Sequence, residues 1–112
     1  AEGWQRAGDW TAAAAAPLAK ARPGAADAAL LVPEFTQAAA LLQFTCELGR
    51  ELASDYSRGP AGLPAVTRRR LAGTLEPLLA EQRRLWLARN RSGGLADSLR
   101  SLEKLLAALK TP

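Results

Sequence analysis

Leu95, Leu99, Leu102, Leu106 and Leu109 recur at spacings of four, three, four and three, with Asp97, Arg100, Glu103, Lys104 and Lys110 between them. That alternation puts the leucines on one stripe of an α-helix and the charges on the other faces. A leucine seam of this kind requires a partner helix, either in the same chain or in a second copy as a homodimer.

Upstream, the same period returns less cleanly. Phe35, Ala38, Leu42, Thr45, Gly49 and Leu52 share a stripe, widened by Leu41, Phe44 and Leu48. A stripe this broad predicts a helix packed between neighbours, starting near Pro33, where a proline in the first turn costs nothing. Leu71, Leu75, Leu78 and Leu85 mark the apolar side of another helix over 64–89, bent at Pro77. "DWTAAAAAPLAKAR" predicts a short first helix capped by Asp9 and kinked or split at Pro17. "RPGAAD" and "SRGPAGLP" are the breaks between elements, and the glycines of "SGG" at 92–94 stop the long helix.

Composition sharpens the picture. The chain has 112 residues, 48% of them hydrophobic and only 5% aromatic, enough for one modest core of Leu and Ala. These features predict a single all-α domain over 1–112, a compact bundle of three to five helices. No run of about 18 apolar residues occurs, which excludes a helical membrane span. No repeat of solenoid length is visible. The opening "AEGWQRAGDW" begins with Ala1 and has no signal-peptide pattern, as expected for a piece of a longer polypeptide.

Candidate chemistry is sparse. The chain contains no histidine, which removes the commonest general base, the commonest metal ligand and every Ser-His or Cys-His pair. Cys46 is the sole cysteine, set in the apolar run "LLQFTCELG", where a buried small hydrophobe is the plainer reading than a nucleophile. A lone thiol leaves the compartment open, and a reducing one such as the cytoplasm fits easily. Glu47, Glu51 and Asp55 form a ladder at helical spacing that could hold a metal, but bundle metal sites usually add Glu-x-x-His pairs. A solvated acidic face paired with Arg50 is the simpler account. No catalytic residue, cofactor or metal ligand is therefore assigned.

The net charge is +4, and "RRR" at 68–70 with Arg83, Arg84, Arg89 and Arg91 could line a phosphate-binding stripe. Glu76 and Glu81 interrupt it and no recognition-helix signature accompanies it, so nucleic acid is not the expected partner. Arg outnumbers Lys twelve to three, as in chains from GC-rich genomes.

One stretch is distinctive. In "LWLARNRSGGLADSLRSLE", Trp86, Arg89, Asn90, Arg91, Gly93, Gly94 and Leu95 follow the order Trp-Leu-x-x-Arg-Asn-(Arg or Lys)-Pro-Gly-Gly-Leu, with Ser92 where Pro is usual. This resembles the closing segment of bacterial glycoside hydrolases of the β-N-acetylhexosaminidase type, family 20. The resemblance covers about 20 residues, and the preceding helices only through the looser likeness of "AAALLQFTCELGRELA". It implies a non-catalytic C-terminal accessory region of an enzyme whose TIM barrel carries an adjacent Asp-Glu pair. Neither the barrel nor that pair is in this chain. Trp86 is then a packing anchor. Arg89, Asn90 and Arg91 either cap the end of their helix or dock it on the missing domain, since Trp and Arg are enriched in interface hot spots. The alternative is a free-standing helical interaction or regulatory protein, dimeric through the leucine seam.

Overall fold

The structure, a computed structural model, describes residues 2–17, 28–53, 57–89 and 93–111. The chain is an all-α bundle: α1 (Glu2–Ala15), α2 (Ala28–Leu52), a 3-10 turn at Pro60–Gly62, α3 (Ala65–Arg89) and α4 (Leu95–Leu109). There is no strand among the described residues.

Two helix starts differ from the sequence expectation. Asp9 lies in the middle of α1 and is not its cap; its carboxylate accepts a hydrogen bond from Gln5 Nε2, 3.0 Å away and one turn earlier. The helix extends back to Glu2 although residues 2–8 include two glycines, and Trp4 in this added stretch packs on Gly49 of α2. Likewise α2 starts at Ala28, not at Pro33. Proline there deletes one hydrogen bond in the second turn, and half-burial of Leu30, Leu31 and Val32 offsets it. α1 ends at Ala15, two residues before the proline where a kink or split was expected, and the sequence beyond it, 18–27, lies outside the described residues. α3 runs unbroken through Pro77, with Leu79 and Leu85 beyond it both buried.

The core is a cluster of Phe44 from α2, Leu71, Ala72, Leu75 and Leu79 from α3, and Leu99 and Leu109 from α4. Leu71 and Leu75 are completely buried. The leucine seam of α4 finds its partner inside the chain: Leu99 and Leu109 are buried, while Leu95, Leu102 and Leu106 are half-buried against the same cluster.

Each helix packs chiefly on the next in sequence: α1 on α2, α2 on α3, α3 on α4, with α4 also touching the 3-10 turn. The result is flattened, measuring 46 × 33 × 18 Å. Its radius of gyration is 15.5 Å, against about 13 Å for a sphere-like domain of this length. The short dimension is less than two helix diameters of about 10–12 Å, so much of α2 has a neighbour on each edge and open space on a face.

Candidate functional site

The broad stripe expected to face the core along α2 does not do so as a whole. Phe35 is 59% exposed and Leu42 56%; Ala38 and Thr45, on the same stripe, are exposed as well. The buried positions are Gln37 and Phe44 on the side of α3, and Cys46 and Gly49 on the side of α1. The physical reason is the number of neighbours. α3 covers the arc that holds Gln37 and Phe44, and α1 reaches the stripe only toward its C-terminal end, where Trp4 lies on Gly49, so Phe35, Ala38 and Leu42 stay exposed; the sequence pattern records only that the arc is apolar. Trp10 of α1, 73% exposed, is a further uncovered aromatic.

Beside this stripe lies a groove of about 390 Å³, lined by Glu34, Gln37, Ala38 and Leu41 of α2 and Gln82, Leu85 and Trp86 of α3. Trp86 is half-buried in its wall. Across the turn, a Cβ at Gly94 would stand 3.5 Å from Trp86 Cζ2, in ordinary contact. Gly94 has φ +85° and its carbonyl accepts from Ser98 N at 3.0 Å, so the glycine both ends the turn and starts α4. Arg89 Nε lies 2.7 Å from each carboxylate oxygen of Glu34, clamping the end of α3 to the start of α2. Asn90 and Arg91 lie outside the described residues.

Gln37 carries no sequence signal of its own, yet it is one of the few buried polar side chains. Its Nε2 donates to the Leu78 carbonyl at 2.8 Å and to Gln82 Oε1 at 3.3 Å, which satisfies the amide inside the α2–α3 interface. The other contact missed from sequence is Trp4 on Gly49: any Cβ at Gly49 would collide with the indole. Gly8 on α1, and Cys46 and Gly49 one turn apart on α2, are the small residues that were the available signal.

The basic residues are largely paired. Arg70 bridges Glu47 and Glu51 of α2, the latter at 2.8 Å. Arg50 also meets Glu51, at 3.8 Å. The acidic ladder is thus closed by α3 more than by Arg50, and its third rung, Asp55, lies outside the described residues. Arg83 meets Glu103 at 3.4 Å, and Lys110 pairs with Glu76. Arg68 donates to the Leu63 carbonyl at 2.9 Å and to that of Thr111. Arg84 pairs with Glu81 one turn earlier; its hydrogen bond, helped by its charge, holds the Glu81 carboxyl below its ordinary value against slight desolvation. Of the stripe weighed from sequence, Arg70, Arg83, Arg84 and Arg89 thus meet carboxylates, Arg68 meets backbone carbonyls, and Arg91 lies outside the described residues. Among the described residues no group of three or more His, Cys, Asp or Glu is placed to hold a metal ion, and no helix is long and apolar enough to cross a membrane.

Compared with protein-family models, curated proteins and solved structures, the chain matches none of them. The arrangement offers exposed apolar side chains on α2 and a groove walled by Trp86.

Proposed function

We propose that this chain is a non-catalytic helical accessory region of a glycoside hydrolase of the β-N-acetylhexosaminidase type, seated on a catalytic barrel that lies elsewhere in the polypeptide. One observation carries the reading: Phe35, Ala38, Leu42 and Thr45 have the spacing of a core-facing stripe and are uncovered in this chain. A contiguous apolar stripe open to water marks a surface that another protein surface covers. The resemblance of the segment from Trp86 to Leu95 supplies the kind of partner, and the Arg89–Glu34 clamp holds the end of α3 against the N-terminal part of α2. Glu34 is the one carboxyl group among the described residues that line the groove, whereas glycoside cleavage needs two opposed carboxyl groups about 5–10 Å apart.

The test uses the polypeptide at its full encoded length, assayed on a chromogenic N-acetyl-β-glucosaminide. Hydrolysis is expected, with Phe35→Ser plus Leu42→Ser lowering the yield of active, folded enzyme while the 112-residue chain alone turns nothing over. A full-length protein without hydrolysis overturns the reading. So does a free-standing dimer of this chain that the same two substitutions dissociate.

A further inference from the structure

We infer that α1 is an independently detachable cover, leaving α2 without unfolding of the α2–α4 core and uncovering Cys46 and Gly49 when it does. The inference does not depend on the proposed function.

Several observations lead to it. None of the buried core cluster comes from α1; every member belongs to α2, α3 or α4. Thr11 is the one buried side chain of α1, and its hydroxyl is satisfied within its own helix by the Ala7 carbonyl at 2.8 Å. α1 packs on α2 above all other elements. Across that interface Arg50 Nη1 donates to Gln5 Oε1 at 3.2 Å, in an exposed pair that adds little. An open groove of about 230 Å³ runs along the seam, bordered by Trp4, Gly8, Gln43 and Cys46, so solvent reaches the edge of the α1–α2 contact.

What fastens α1 is a pair of close approaches. The Trp4 indole lies flat on Gly49, and a Cβ at Gly8 would stand 3.6 Å from Cys46 Cβ. α1 and α2 share the most extensive helix–helix contact of the fold, but it sets a single indole against small residues and brings no α1 side chain into the core cluster. A helix of 14 residues is marginal by itself in water, so α1 depends on this contact, while the core below does not depend on α1. Cys46 is buried yet lies outside the main cluster, directly under the cover.

Cys46 is the only thiol, so its reaction with DTNB reports opening at this one place. The folded chain should label with a shallow dependence on urea, because little surface is exposed, whereas amides around Leu71, Leu75 and Leu99 should exchange with the steep dependence of the main transition. Hydrogen exchange over residues 2–15, read by mass spectrometry, should give the same opening constant as the thiol. Gly49→Ala pushes a methyl into the indole and should accelerate labelling about ten- to a hundredfold. The same variant should hold or raise the urea midpoint of the core, since alanine is the better helix former. Labelling with the urea slope of global unfolding overturns the inference, as does protection of the α1 amides while Cys46 reacts, or an unchanged rate in Gly49→Ala. The wild-type measurements decide it even if that variant fails to fold.

Discussion

Arg89 holds Glu34 by Nε at 2.7 Å from both carboxylate oxygens, across 55 residues of sequence. Both side chains are about one-third exposed, which makes this the most sheltered of the ion pairs found here. Arg89→Ala and Glu34→Ala should each lower stability by about 1 kcal/mol, with a coupling of about 0.5–1 kcal/mol in a double-mutant cycle. Urea unfolding of the four proteins measures it. Strict additivity would mean that Arg89 faces other partners.

Trp86 and Gly94 form the second test. Trp86→Ala removes a half-buried indole from the groove wall and should cost about 2–3 kcal/mol, below the about 3–5 kcal/mol of a fully buried aromatic. Gly94→Ala should cost about 1–2 kcal/mol for a different reason: φ +85° places its Cβ in the left-handed region that alanine resists. Thermal unfolding distinguishes the two, because Gly94→Ala leaves the indole fluorescence maximum in place and Trp86→Ala removes one of three emitters.

Much of the fold was legible in the sequence, and the failures share a cause. α3 and α4 were readable because the leucines at 71, 75, 99 and 109 face a core within their own chain, so period and burial agree. In α2 they disagree. Phe35 and Leu42 obey the helical period but are more than half exposed, and the pattern of a covered stripe is identical to that of an uncovered one. Asp9 misled because a capping residue type also serves inside a helix when a glutamine one turn back can bond it. In the candidate site, Trp86 and the glycines were visible as punctuation, whereas Gln37 was not. Its role depends on a Leu78 carbonyl 41 residues away, and no local signal encodes that partner.

Gln37→Glu makes that hidden contact testable. The carboxylate would face the Leu78 carbonyl, an acceptor it cannot bond while ionised, inside a buried interface. Stability at neutral pH should fall by about 1–3 kcal/mol. Burial and the facing carbonyl raise the folded-state pKa of the new carboxyl, so the unfolded state releases its proton first and the loss should diminish as pH falls. Parallel urea titrations at neutral and mildly acidic pH check this. A loss that grows on acidification relative to wild type contradicts the hydrogen-bond geometry.

Acid should act on the native chain in the opposite sense at Glu81. Its folded pKa lies below the ordinary value because Arg84 hydrogen-bonds the ionised form. The pair's contribution is present above the unfolded carboxylate pKa and disappears as pH drops through the folded one. Glu81→Gln should therefore shrink the acid-side loss of stability slightly and leave the alkaline side flat. The effect is small, since the pair is solvent-exposed.

Because each helix leans chiefly on the next one along, the chain assembles like a short stack whose main links join elements adjacent in sequence. Loop closures are brief and no distant strand must be found, the topology associated with rapid folding. Energetics follow the same geometry: stability becomes a run of nearest-neighbour interfaces, and damage at one end fades before it reaches the other. α3, flanked on both sides, is the hinge of that arrangement. A lesion at Leu75 should unzip everything, while one at Trp4 should leave α4 unaware of it.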